Sequence, residues 1–147
     1  MPQFPHLKLL ITGNPSQHRS TLEYIQNIKK LIVDLQISNS VIFLNESSPK
    51  SLDESALHDL YSLCDLIFYF SKSENFGLPL LEAGLAKTPI FLSNLEVFHE
   101  IGKNHANYID YNEIPAKEAA NIITRFIKNN QNIQANKEAR QKFNLKN

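Results

Sequence analysis

Two glutamates flank a short turn whose backbone could bind a phosphate. Glu74 and Glu82 are separated by seven residues, and Gly77 lies between them. Glycine keeps the backbone accessible in a tight turn, so the N–H groups of Phe76, Gly77 and Leu78 are predicted to point out of a helix N-terminus. The helix dipole favours an anion at that position. The turn is therefore a candidate phosphate site with a carboxylate on either side.

The two carboxylates allow two interpretations. An acidic side chain near a helix N-terminus stabilises the helix by roughly 0.3–1 kcal/mol, so Glu74 and Glu82 could serve the helix alone. In the second interpretation, each carboxylate accepts paired hydrogen bonds from vicinal hydroxyls while the amides between them hold a phosphate bridge. A nucleotide sugar has this layout, because a diphosphate joins its ribose diol to its hexose diol.

The residues on either side of the turn predict a strand followed by a helix. An unbroken apolar run from Leu66 to Phe70 is typical of a buried strand, and Pro79 suits the first position of a helix. Phe76 is interpreted as a core residue rather than a platform for stacking a base. Open α/β sheets bind ligands where a strand ends in a turn that leads into a helix.

Strand-like and helix-like segments alternate along the rest of the chain. Strands are predicted at residues 7–12, 41–44, 66–70, 89–92 and 107–109. Helices are predicted from a capping box at residues 20–23, within residues 52–61, directly after the turn, and after Pro115. This alternation predicts an α/β fold, with a parallel sheet covered by helices on both faces. No interdomain linker is apparent, so residues 1–147 are interpreted as a single domain.

Composition excludes several classes of protein. Fifteen basic and fifteen acidic residues cancel in a chain of 147, which argues against a nucleic-acid partner. A single cysteine excludes an internal disulfide, and no apolar run is long enough to span a bilayer. A cytoplasmic location is expected. The basic stretch at residues 125–147 is interpreted as a solvated helix end, with an anionic membrane surface or another domain as the alternative.

Residues 71–100 resemble the signature of retaining glycosyltransferases of the GT-B fold, the group 1 family. The pattern S-x-x-E-x-F-G-L-P-x-L-E-A is matched from Ser71 to Ala83. Further on, Thr88-Pro89-Ile90 matches the small residue, proline and β-branched residue that begin the next strand, and Glu100 matches a later glutamate. The resemblance covers the C-terminal domain only, and the family's first strand and helix of that domain have no counterpart in the chain. Lys87 stands where the family usually has glycine, which implies a mildly distorted turn or an added cation.

The resemblance also implies roles for residues. Glu74 would meet hydroxyls of the donor sugar, Glu82 would bind the ribose diol, and the backbone N–H groups of Phe76, Gly77 and Leu78 would bind the donor. No catalytic residue, metal site or cofactor is predicted. The nucleoside-diphosphate sugar is the donor substrate, and enzymes of this fold generally stabilise the departing diphosphate with helix dipoles and basic side chains.

Two further turns are candidates for the nucleotide cleft. Gly13 and Asn14 follow the first predicted strand, at the end of the sheet where ligands bind. Asn45, Glu46 and Ser47 follow the second strand, in the region where the resemblance places the nucleobase. In both cases the alternative is an ordinary turn that only reverses the chain.

Three functions are compatible with these residues. The resemblance favours the donor-binding part of a retaining glycosyltransferase, which moves a hexose from a nucleoside diphosphate to a saccharide or lipid acceptor and is inactive as an isolated chain. The alternative is a non-catalytic nucleotide-sugar-binding or oligomerisation module that completes a partner or a homodimer. The third is a flavodoxin-like α/β domain whose motif similarity is accidental.

Overall fold

The computed structural model describes residues 4, 6–13, 19–44, 53–130 and 133. Two compact units divide the chain, Met1–Asp53 and Glu54–Asn147. Parallel strands alternate with helices in both units. This arrangement confirms the predicted α/β fold class.

In the first unit, the described residues form a parallel strand pair and a long helix. Strand β1 (Leu9–Ile11) pairs with strand β2 (Val41–Phe43), and helix α1 (Arg19–Asp34) connects them, followed by a 3-10 turn at Ser38–Ser40. The capping box predicted a helix start at Ser20, but α1 already begins at Arg19. Lys29 Nζ lies 5.4 Å from the Phe43 ring centroid, so one cation of α1 covers an aromatic residue of β2.

Between residues 53 and 130, the structure describes three parallel strands and four helices of the second unit. Its elements are α2 (Glu54–Leu63), β3 (Ile67–Tyr69), α3 (Leu78–Ala86), β4 (Ile90–Ser93), α4 (Glu96–Gly102), β5 (Asn107–Ile109) and α5 (Ala116–Asn129). The strand order is β3-β4-β5, so β4 is central. Helix α4 is not predicted by the sequence, because seven residues are too few to show a helical apolar period.

The core of the second unit is organised around β4, whose four residues are all buried. On one face, Leu92 and Ile90 pack with Leu80 of α3 and Phe98 of α4. On the other face, the Phe91 ring meets the Phe126 ring of α5 edge to face, with 5.2 Å between centroids. The central strand is therefore covered on both faces, as the apolar pattern predicts.

The predicted burial of the strand before the turn is wrong in part. Phe68 is 40% exposed and Phe70 is 44% exposed, whereas Ile67 and Tyr69 pack against the core. The reason is that β3 is an edge strand of its three-stranded sheet. An apolar run alone does not distinguish a central strand from an edge strand.

Candidate functional site

The turn from Ser71 to Gly77 connects the edge strand β3 to the N-terminus of α3. Gly77 is the residue before the helix and has a left-handed φ of 77°. A side chain at Gly77 would also meet the Phe98 ring, since a Cβ there would lie 3.1 Å from two of its carbons. Glycine is required at this position for both its backbone conformation and its lack of a side chain. Pro79 occupies the second helical position rather than the predicted first.

The beginning of the turn is fixed by a buried serine. Ser93 Oγ donates a hydrogen bond to Ser71 O at 2.7 Å and accepts one from Ser71 N at 2.7 Å. The Tyr111 hydroxyl donates to the same carbonyl at 3.3 Å. The turn therefore starts from a backbone position that is held by the neighbouring strand.

The Glu74 carboxylate lies against the turn itself. Its Oε2 accepts a hydrogen bond from the Tyr69 hydroxyl at 2.8 Å, and its Oε1 accepts from the backbone N–H groups of Asn75 at 2.9 Å and Phe76 at 3.5 Å. The Tyr69 hydroxyl, followed by the turn amides including that of Gly77, lowers the pKa of Glu74. One of the amides that the sequence assigns to a phosphate, that of Phe76, is thus bound to the Glu74 carboxylate in this structure.

Glu82 lies one turn into α3 and is associated with a second tyrosine. Burial raises the pKa of Tyr61 far above its usual range, and a hydrogen bond to the Glu82 carboxylate raises it further. The hydrogen bond to Glu74 raises the pKa of Tyr69, with burial next and smaller contributions from the charges of Glu74 and Glu82. Each carboxylate thus has a tyrosine neighbour, Tyr69 for Glu74 and Tyr61 for Glu82.

Two large apolar side chains beside Gly77 are exposed. Phe76 is 58% exposed and Leu78 is 58% exposed, so the interpretation of Phe76 as a core residue is wrong. The physical reason is that the chain turns at Gly77, which is itself buried against Phe98. Phe76 and Leu78 can therefore take part in the site through their backbones, as predicted, and their side chains are accessible.

The remaining candidate residues belong to the first unit. Gly13 follows β1 with a φ of 106° and is exposed. Asn14, Asn45, Glu46 and Ser47 lie outside the described residues. Their assignment to a nucleotide cleft stays a prediction.

Sequence reasoning missed three residues of the site, namely Tyr61, Tyr69 and Ser93. Tyr69 shares the alternating face of Ile67 and belongs to the apolar run from Leu66 to Phe70. Its hydroxyl is the signal that could have identified Tyr69 as a site residue, because buried tyrosines usually need a hydrogen-bond partner. Thr88 makes a similar contact, since its hydroxyl donates to Tyr61 O at 2.8 Å and ties α2 to the start of β4.

Other features of the described residues do not add to this site. Two open grooves of about 330 and 530 Å³ run along α5, and no residue of the turn lines either of them. Among the described ranges, no cluster of three or more histidine, cysteine, aspartate or glutamate side chains could hold a metal ion. Within the same ranges, no helix combines the length and the apolar character needed to cross a bilayer.

The parallel strand β3, the glycine turn after it and the helix N-terminus flanked by carboxylates form the strand–turn–helix edge at which open α/β sheets bind ligands. Residues 1–144 match the family model described as Glycosyl transferases group 1. The chain belongs to this family of retaining GT-B enzymes and corresponds to their C-terminal domain.

Curated relatives are much longer than this chain. The O-antigen chain mannosyltransferase RfbU of Salmonella typhimurium is 35% identical over 88 residues, which are 60% of this chain and 24% of RfbU. The serotype-specific mannosyltransferase WbdA of Escherichia coli is 36% identical over 67 residues, 46% of this chain and 8% of WbdA. The D-inositol 3-phosphate glycosyltransferase of Corynebacterium urealyticum is 33% identical over 94 residues, 64% of this chain and 20% of that enzyme. The chain thus spans about a quarter or less of these relatives.

A solved structure has the same fold. The crystal structure of Anabaena Alr3699/HepE, in complex with UDP and glucose, aligns with a TM-score of 0.60 and 24% sequence identity. The alignment covers 76% of this chain and 29% of that chain. The likeness supports the α/β architecture of parallel strands and helices.

Proposed function

We propose that this chain is the donor-binding part of a glycosyltransferase that moves a hexose from a nucleoside-diphosphate sugar to a saccharide or lipid acceptor. The observation that carries the proposal is the turn between β3 and α3, where the Glu74 carboxylate lies against the turn amides and Glu82 follows one turn into the helix. Such a site combines amide donors for a diphosphate with carboxylate acceptors for the hydroxyls on either side of it.

Each part of the donor would meet a different part of the turn. The diphosphate would accept hydrogen bonds from the N–H groups of Phe76, Gly77 and Leu78, with the dipole of α3 favouring its charge. Glu82 would accept hydrogen bonds from the ribose diol, and Glu74 from hydroxyls of the hexose. The same amides would stabilise the negative charge that grows on the diphosphate as the sugar leaves.

The relatives support this assignment. RfbU and WbdA are named as mannosyltransferases, and the HepE structure contains UDP and glucose. A nucleoside diphosphate linked to a hexose is therefore the ligand class we propose for the turn. The motif residues lie in the described part of the chain. Asn14 and residues 45–47, which belong to the turns proposed for the nucleotide cleft, lie outside it.

The complete reaction would need more than this chain. We place acceptor binding in a domain outside residues 1–147, since the chain covers 24% of RfbU. The chain itself would act as one donor-binding domain in the cytoplasm. The purified 147-residue protein is expected to transfer no sugar, and measurable turnover with radiolabelled UDP-glucose or GDP-mannose would contradict this expectation.

Titration calorimetry with UDP, GDP, ADP and their glucose or mannose conjugates tests the proposal. Wild type should bind at least one nucleotide sugar, and Glu82→Gln should weaken that binding by about tenfold, as expected for the loss of a charged hydrogen bond. Glu118→Gln is the matched control, because Glu118 is exposed on α5 and lies outside both the turn and the signature at residues 71–100. The donor-site proposal is wrong if the folded wild type binds no member of the panel.

The oligomerisation module remains a second candidate because of β3. Within the described residues of the second unit, β3 is an end strand of the three-stranded sheet, and two half-exposed phenylalanines, Phe68 in the strand and Phe70 directly after it, accompany it. Edge strands of this kind can pair with another chain. Light scattering across a concentration series distinguishes the two functions, since a monomer that binds nucleotide sugar excludes a purely oligomeric role.

A further inference from the structure

We propose that Tyr69 is a positioning residue that keeps the Glu74 carboxylate beside the turn when a ligand's phosphate takes over the turn amides. The inference rests on the proposed donor site and assigns a role to a residue outside the signature motif. Tyr69 closes β3, two positions before the first residue of that motif.

The Tyr69 ring is well fixed. It packs edge to face against Phe98, with 6.1 Å between centroids, and Phe98 is fully buried in the core of the second unit. From this anchored ring, the hydroxyl reaches Glu74 Oε2 at 2.8 Å. A ring held by the core presents its hydroxyl at a constant position, which is what a positioning residue requires.

The two oxygens of Glu74 have different partners. Oε1 accepts from the amides of Asn75 and Phe76, and the Phe76 amide belongs to the proposed phosphate site. A phosphate bound there would compete for the Phe76 amide and would repel the carboxylate, because both groups are anions. Oε2 is bound by a neutral hydroxyl from β3, a contact that a phosphate on the amides does not contest.

Ligand binding would therefore exchange one set of contacts and preserve the other. The phosphate would replace Glu74 Oε1 at the Phe76 amide, while the Tyr69 hydroxyl would retain Oε2 and leave Oε1 open to the hydroxyls of the sugar. The hydrogen bond from Tyr69 is also the largest of the causes that lower the pKa of Glu74. The carboxylate therefore stays ionised and able to accept hydrogen bonds.

This mechanism predicts a difference between two ligands. A nucleoside diphosphate uses the amides and the ribose site alone, whereas a nucleotide sugar also uses Glu74. Tyr69→Phe removes the hydroxyl and keeps the ring against Phe98, so the variant should bind UDP as wild type does. It should lose the added affinity for UDP-glucose, by about tenfold if one hydrogen bond to a charged group is lost.

The experiment compares UDP with UDP-glucose, and GDP with GDP-mannose, on wild type and Tyr69→Phe of the full chain by calorimetry. Carbon NMR of the Glu74 carboxyl provides a second readout, and the pKa of Glu74 should rise in the variant. Tyr24→Phe is the matched control, because Tyr24 is 66% exposed on α1. Thermal melting checks that both variants are folded.

The outcomes distinguish the positioning role of Tyr69 from the donor site on which it rests. Selective loss of nucleotide-sugar binding together with a raised Glu74 pKa supports the role of Tyr69. Equal weakening of both ligands, or no change in either, overturns that role and leaves the donor site standing. If wild type binds no nucleotide or nucleotide sugar, the donor site fails, and the positioning role fails with it.

Discussion

Ser93 binds both backbone polar groups of Ser71 through its single hydroxyl oxygen. The contacts to Ser71 O and Ser71 N are each 2.7 Å long, and Ser93 is almost completely buried. The chain leaves β3 at Ser71, beyond the last paired residue of the strand, so this hydroxyl takes the place of a further ladder contact between β3 and β4. The entrance of the candidate site is thus fixed by a side chain that does not reach the ligand.

Ser93→Ala should destabilise the second unit by about 1–3 kcal/mol, because it removes the partner of Ser71 N and leaves Ser71 O with the Tyr111 hydroxyl alone. Urea unfolding followed by circular dichroism measures this change. Ser62→Ala is the control, since Ser62 is exposed on α2 and its replacement should change the free energy of unfolding by less than about 0.5 kcal/mol. Equal effects of the two variants would show that the Ser93 contacts do not stabilise the turn.

Gly77→Ala should destabilise the protein more than an ordinary glycine substitution does. A Cβ at Gly77 would lie 3.1 Å from the Phe98 ring, in a backbone conformation with a φ of 77°. The expected cost is about 1–3 kcal/mol from strain and from displacement of the ring. Because the ring also supports Tyr69, nucleotide-sugar binding should weaken in the same variant.

The matched control for Gly77 is the second glycine of the same motif region. Gly84 lies inside α3, and a Cβ there would meet nothing within 4 Å. Gly84→Ala should therefore stabilise the protein by about 0.5–1 kcal/mol through helix propensity. Thermal melting of the two variants should shift in opposite directions, and a shift in the same direction would contradict the geometry of the turn.

Local signals in the sequence predict the strand, turn and helix of the site. The apolar run before Ser71 and the glycine and proline after Phe76 act over a few residues, so β3 and α3 appear where expected. The short strand Asn107–Ile109 and the helix after Pro115 are likewise confirmed. These elements depend on periodicity and turn chemistry, which a sequence displays directly.

Contacts between distant residues could not be predicted in the same way. Ser93 and Ser71 are 22 positions apart, and only the register of β3 and β4 brings them together. The exposure of Phe68 follows from the sheet order rather than from its own segment. The hydrogen bond from Tyr69 to Glu74 depends on how the turn folds back onto β3, which residue types alone do not specify.

Substitution of Lys87 by glycine should raise the stability of the protein. It ends α3 with a left-handed φ of 55°, and its N–H donates to the carbonyls of Ala83 and Gly84. A side chain in this conformation costs about 1 kcal/mol relative to glycine, so Lys87→Gly should stabilise the protein by about 0.5–1 kcal/mol. The distorted turn that the motif comparison implied is thus a strained backbone conformation.

Lys87→Ala separates the backbone effect from the loss of charge. Alanine removes the cation and retains the Cβ, so its free energy of unfolding should stay within about 0.5 kcal/mol of wild type. Urea unfolding of both variants measures the difference. If alanine stabilises as much as glycine, the gain comes from the charge and the strain at Lys87 is not important.

The association of Tyr61 with Glu82 can be tested by alkaline titration. Burial, followed by the Glu82 carboxylate, raises the pKa of Tyr61, so its neutral form contributes stability that is present below the ordinary tyrosine pKa and lost as pH rises through the raised value. Glu82→Gln should lower this pKa, because an amide accepts a hydrogen bond without adding negative charge. Ultraviolet absorbance of phenolate measures the shift, with Tyr61→Phe identifying the signal and Glu118→Gln as control. A titration unchanged by Glu82→Gln would place that carboxylate away from Tyr61 and contradict their association.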